Sequence, residues 1–182
     1  MKFTPSQIPA VVIIDPHVHE DNRGFLMETW RDDGYAAAGI EATFVQDVHS
    51  RSARGTVRGL HYQIEQSQGK LIRVIRGEAF DVAVDIRRSS PTFGQWVGVH
   101  LSENNRKLIW VPPGFAHGFM ITSESADFEY RMTDYHAPQY GRTIRWDDPE
   151  IGIDWPAQEG IEPLMSSADE GGVLLKDAEV YA

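Results

Sequence analysis

A chain of 182 residues is long enough for one domain with a sizeable core and short for two, so a single domain over residues 1–182 is expected. Its formal net charge of −10 argues against a nucleic-acid partner, because a phosphate backbone rewards lysine and arginine and repels a broadly acidic surface. The absence of cysteine excludes disulfides, thiolate metal sites and cysteine nucleophiles together, which leaves His, Asp, Glu, Tyr, Lys and Arg to carry any chemistry.

The opening stretch MKFTPSQIPA has no apolar signal core, and no later run approaches the length of a membrane span. No membrane partner and a cytoplasmic location are therefore expected. Short apolar runs then follow one another: AVVIID, GFLMETW, ATFVQDVHS, TVRGLHYQ, KLIRVIRG, AFDVAVDIRR, QWVGVHLS, RKLIWVP, HGFMIT and DFEYRMTDY, separated by Gly, Pro, Asn, Asp or Ser clusters. Closely spaced short strands predict an all-β barrel or sandwich. In AFDVAVDIRR, Phe80, Val82, Val84 and Ile86 alternate with Asp81, Ala83, Asp85 and Arg87, the period-two pattern of a strand with one apolar face. Helical signal is thin: RDDGYAAAGI supports a turn or two, with acidic residues near its start and Gly39 near its stop. RWDDPEIGIDWPAQEG and the tail LMSSADEGGVLLKDAEVYA predict irregular wrapping and a short terminal helix, with the C-terminal segment packing back over the β core. RSSPTFG and RWDDP read as turns and are assigned no chemistry.

Two segments stand out chemically. RGLHYQ, from Arg58 to Gln63, places an arginine, a glycine and a histidine inside an aromatic strand, and on that motif alone a hydrogen-bonded core histidine is the better reading of His61. Strand alternation sends Gly59, His61 and Gln63 to one face and Arg58, Leu60 and Tyr62 to the other, so Arg58 joins His61 only if a bulge intervenes. In PPGFAHGF, the spacing Pro112-x-Gly114-x-x-His117 resembles the second motif of the cupin superfamily, a jelly-roll architecture in which a Pro-Gly turn presents a histidine into the barrel mouth. A metal-binding cupin would add a second histidine two residues after His61 and then a glutamate; here Tyr62 and Gln63 follow. A metal wants at least three protein donors and this chain offers two obvious ones, so no metal is expected. A metal-dependent cupin such as an oxygenase, with His61 and His117 as ligands, is the rival from another enzyme class.

The ordered series DNRGFLMETW, VQDVHS, TVRGLHYQ, QGKLIRVIRGEAFDVAVDIRRSSPTFGQWVGVHLS, IWVPPGFAHGF, EYRMTDYHAP and RWDDPEIGIDWP resembles the dTDP-4-dehydrorhamnose 3,5-epimerase family, from about Asp15 to Asp169. The resemblance implies a mainly β, cupin-type jelly-roll barrel of antiparallel strands with short peripheral helices. It also implies an isomerase acting on a dTDP-linked 4-keto-6-deoxy sugar, converting dTDP-4-dehydro-6-deoxy-D-glucose to dTDP-4-dehydro-L-rhamnose by proton abstraction and return at C3 and C5. Such chemistry needs a base, an acid on the opposite face of the ring and a stabiliser for the enolate oxygen, with no metal or organic cofactor. By the same resemblance His61 falls at the base, Asp169 at the carboxylate that orients it, Tyr130 at the acid and Lys70 at the enolate stabiliser, with His117 lining the cavity. Arg23 and Arg58 match diphosphate contacts, Gln46 and Glu28 lie near the nucleoside and phosphates, and Tyr135 stacks on or borders the thymine. An N-terminal strand segment that contributes to the partner's site implies a homodimer.

Each residue has a plainer reading beside this one. A strand tyrosine is usually a packed aromatic, a lysine after QG a solvated turn residue, Arg23 a surface turn residue, and an aspartate in SSADEGG a helix cap. The chain also departs from the family: Val48 stands where Asn is common, His136 where a second aromatic is common, and Ala168 where a Lys precedes the orienting aspartate. These changes bear on the nucleotide contacts. They keep open a mono-epimerase acting at C3 or C5 alone on a related sugar, and a cupin that binds sugar nucleotides without turning them over.

Overall fold

The computed structural model describes residues 1–182, and its strands pair antiparallel in every ladder. One sheet has the spatial order β1 (Lys2–Pro5), β2 (Val12–Asp15), β10 (Leu108–Val111), β7 (Lys70–Arg76), β12 (Ser125–Met132), β5 (Gln46–Ala53). The second runs β13 (Gly141–Thr143), β6 (Val57–Gln63), β11 (Phe115–Ile121), β8 (Glu78–Asp85), β9 (Trp96–Ser102). Apart from β1–β2 and β8–β9, neighbours in space are distant in sequence, as in the expected jelly roll. A hairpin of β3 (Val18–Asp21) and β4 (Gly24–Met27) pairs only with itself. The helices are short, α1 (Asp32–Ala37) and α2 (Ser167–Glu170), and no helix is long and apolar enough to cross a membrane.

The two sheets meet through Ile72, Val74 and Phe128 on one side and Ala83, Val97 and Phe119 on the other, with Phe119 and Phe128 stacked at 4.0 Å. The far side of the second sheet buries Leu60, Tyr62, Phe80, Val82 and Val84 against Leu175 and Ala178 of the C-terminal segment, which therefore does pack back over the core. The segment is held by Asp148, whose carboxylate accepts from the backbone N–H groups of Glu150, Ile151 and Leu175. The turn read in RWDDP is thus the anchor of the tail.

In β8 the alternation is real, but the strand does not have one apolar and one solvated face. Asp81, Ala83 and Asp85 are as buried as Phe80, Val82 and Val84, because the tail covers one side and the first sheet the other. Asp85 is accommodated by hydrogen bonds from Arg87, Ser90 and Thr92, which explains the RSSPTFG turn, and its partners together hold its carboxyl near 2 despite burial. Asp81 has a different setting, described below. RDDGYAAAGI forms α1 and closes at Gly39, whose φ of +83° suits glycine. Strands β1, β3 and β13 carry too few residues for alternation to reveal them.

Candidate active site

A β-bulge decides where RGLHYQ points. His61 faces His117 across the β6–β11 ladder and Arg58 faces Phe119, so three steps on β6 match two on β11. The extra residue reverses the alternation. Arg58 consequently lines the same cavity as His61, while Leu60 packs in the outer core and Tyr62 packs there and also borders the cavity. The bulge needs glycine on both strands: Gly59 has φ +124°, and a Cβ there would stand 2.5 Å from Gly118 Cα, while one on Gly118 would stand 2.8 Å from the Arg58 carbonyl oxygen.

The bulge also leaves the Gly59 N–H aimed at the C-terminal segment, where it donates to Asp169 Oδ1 at 3.0 Å. The same oxygen lies 2.7 Å from His61 Nε2. Asp169 is the third helical residue of α2 and completes a capping box with Ser166, whose hydroxyl donates to Oδ2 at 2.5 Å and accepts from the Asp169 N–H. One carboxylate thus both caps α2 and contacts His61. Burial alone would raise its pKa; the hydrogen bonds from His61, Ser166 and Gly59 outweigh burial and hold it below the usual carboxylate range. An ionised Asp169 fixes the proton of neutral His61 on Nε2 and leaves Nδ1 with a lone pair, the arrangement of a general base.

A cavity of about 550 Å³ brings together residues from both sheets. The second sheet supplies His61, His117 and Arg58; the first supplies Lys70, Tyr130 and Gln46. Base and acid candidates thus approach from opposite walls. Burial pushes the Lys70 ammonium down to about 8, with the charge of Asp81 partly opposing it. His117 is also shifted down by burial, although Asp81 Oδ2 lies 2.9 Å from its Nε2 and favours the proton. No group of three or more His, Asp or Glu side chains is placed to hold a metal; His61 and His117 each engage a carboxylate instead.

Seven of the ten residues singled out from sequence meet at this site: His61, Asp169, Tyr130, Lys70, His117, Arg58 and Gln46. Arg23, Glu28 and Tyr135 do not line the cavity of this subunit. Arg23 sits in the β3–β4 turn with its side chain 86% exposed and paired to Asp21, and Glu28 follows that hairpin beside His17 and His19. Tyr135 is 61% exposed, and the neighbouring His136 lines the cavity in its stead, its backbone N–H donating to Gln46 Oε1. Sequence reasoning did not single out Arg142, which lines the cavity and is held by Glu179, nor Ser166 and Asp81. An acid flanked by apolar neighbours in AFDVAVD was the available signal for Asp81; Arg142 offers none.

The family model described as dTDP-4-dehydrorhamnose 3,5-epimerase matches residues 5–177. The chain is 53% identical over 182 residues to a dTDP-4-dehydrorhamnose 3,5-epimerase of Pseudomonas aeruginosa, covering 100% of this chain and 99% of that one. In structure it is similar to the dTDP-6-deoxy-D-glucose-3,5-epimerase of Legionella pneumophila in complex with dTDP-4-keto-L-rhamnose, with a TM-score of 0.95, 47% identity, and coverage of 98% of this chain and 94% of that one. It is also similar to ChmJ, a 3'-monoepimerase from Streptomyces bikiniensis in complex with dTDP-quinovose, with a TM-score of 0.88, 32% identity, and coverage of 94% and 87%.

Proposed function

The chain belongs to the dTDP-4-dehydrorhamnose 3,5-epimerase family, and from that premise we propose that it converts dTDP-4-dehydro-6-deoxy-D-glucose to dTDP-4-dehydro-L-rhamnose in the cavity between its two sheets. The observation that carries this is the pairing of a carboxylate-oriented His61 on one wall with Tyr130 and Lys70 on the other.

The C4 ketone acidifies the hydrogens on C3 and C5. His61 Nδ1 takes one of these protons, and the electron pair of the broken C–H bond moves into the ring to leave an enolate oxygen at C4. The Lys70 ammonium stabilises that oxygen. Tyr130 donates a proton to the carbon from the opposite face, the carbonyl re-forms, and the centre is inverted. Solvent takes the proton from His61 and returns one to Tyr130, and repetition at the second carbon completes the reaction with no net gain or loss of atoms. Arg58 presents a planar guanidinium suited to the diphosphate, and His136, beside Gln46, borders the base.

Arg23 and Glu28 gain a role in a homodimer. The β3–β4 hairpin exposes 56% of Phe25 and 72% of Leu26, an apolar surface suited to burial against a second copy. Such an arm would carry Arg23 and Glu28 to the partner's cavity. A cytoplasmic location fits a substrate that is a charged nucleotide sugar.

The reading is tested by incubating the protein with dTDP-4-dehydro-6-deoxy-D-glucose and assigning the product by NMR. The expected product is inverted at both centres. Inversion at one carbon alone would make the chain a mono-epimerase, like the ChmJ it resembles, and binding without turnover would leave only a binding protein.

A further inference from the structure

Asp81 is wholly buried at the back of the cavity, on β8 between the inner core and β11. Its Oδ2 is 2.9 Å from His117 Nε2, the one hydrogen bond the His117 ring makes, and its Oδ1 is buried with no hydrogen-bond partner. A carboxylate with an open oxygen is costly to keep inside a protein unless its charge is used. His117 on β11 is in contact with it and Lys70 on β7 lies within reach of its charge; both line the cavity, together with His61 on β6 and Tyr130 on β12. The other buried carboxylate of the site, Asp169, is fully engaged by His61, Ser166 and Gly59. Asp81 is the charge that acts on Lys70, against burial, and no acidic group lies within 4.0 Å of the Lys70 ammonium, so that its protons remain free for a ligand.

We propose that Asp81 is a positioning residue for the enolate side of the reaction: it fixes His117 with its proton on Nε2, and it keeps Lys70 in the ammonium form without consuming that ammonium in an ion pair. A neutral amine at Lys70 would leave the developing C4 oxygen uncompensated. A direct Lys70–Asp81 pair would compensate the wrong group. A separated carboxylate supplies the charge and leaves the donors available.

This rests on the reading of Lys70 as the enolate's partner, and its test separates the two. In the native enzyme kcat is expected to fall as pH rises through the titration of Lys70. Asp81→Asn is expected to move that basic limb down by about one pH unit or more, which lowers kcat at pH 8 by about tenfold while KM changes less than about threefold. In a Lys70→Arg background, where the cation stays charged and the Lys70 limb is gone, Asp81→Asn is expected to leave the pH profile unmoved. An Asp81→Asn enzyme whose kcat falls equally at every pH, with an unmoved limb, overturns the proposal and leaves Asp81 a packing residue. Should the Asn variant not fold, the native chain itself decides: the Asp81 carboxyl carbon, followed by NMR, is expected to report the Lys70 titration near pH 8, and a flat response between pH 6 and 10 overturns the proposal. An unmodified chain with no epimerase activity would overturn the reading of Lys70 instead.

Discussion

The Gly59 N–H and Asp169 Oδ1 are joined by a 3.0 Å hydrogen bond, and the same oxygen holds His61 Nε2 at 2.7 Å. One extra residue in β6 thus sets two things at once. It turns Arg58 toward the cavity, and it frees a backbone donor that locks the Asp169 carboxylate to the strand bearing His61.

Asp169→Asn keeps the shape but removes the charge that fixes the His61 tautomer, so kcat is expected to fall by about 10²- to 10⁴-fold with a smaller change in KM. Ser166→Ala leaves the charge and removes the hydroxyl from Oδ2. Loss of the cap should cost about 1 kcal/mol of stability, and the looser carboxylate about tenfold in kcat. Steady-state kinetics and thermal melts separate the two effects; a Ser166→Ala enzyme with wild-type kcat would show that the box serves the helix alone.

Gly59→Ala puts a Cβ against Gly118 in a conformation few L-residues adopt. The backbone conformation alone costs about 1–3 kcal/mol, and relief of the clash requires β6 and β11 to part. Lower melting temperature together with weaker substrate binding through Arg58 is expected. Retention of both would mean that the bulge tolerates a side chain.

The depressed Lys70 makes a prediction about stability. A lysine whose folded pKa of about 8 lies below its unfolded value opposes folding while it is charged. That penalty is fully present below pH 8 and fades as pH rises from about 8 toward 10.5, since the unfolded chain binds the extra proton in that window. Relative to Lys70→Met, the wild-type protein should therefore gain stability across this window, by about 1–3 kcal/mol, in denaturant titrations at successive pH values. Parallel curves for the two proteins would place the Lys70 ammonium in water.

Much of the barrel was legible because period-two runs such as AFDVAVDIRR and HGFMIT are long enough to show their faces. What alternation could not show was that both faces of β8 are covered, since coverage by the tail is a tertiary fact. The residues that meet at the cavity were legible through the ordered motifs, down to the His61–Asp169 contact. The direction of Arg58 was not, because a bulge is one residue of register and GLHYQ reads the same with or without it. Tyr135 and His136 show the same limit: both lie in the loop after β12, where no periodicity applies, and only the fold chooses which of them reaches the cavity.

The most direct test of the central claim, that His61 is the base for both carbons, is turnover of dTDP-4-dehydro-6-deoxy-D-glucose in deuterium oxide by the wild type and by His61→Asn. The wild type should place deuterium at C3 and at C5 of the product, and His61→Asn should place it at neither on the same timescale. Deuterium still entering at either carbon at the wild-type rate in His61→Asn would contradict the account.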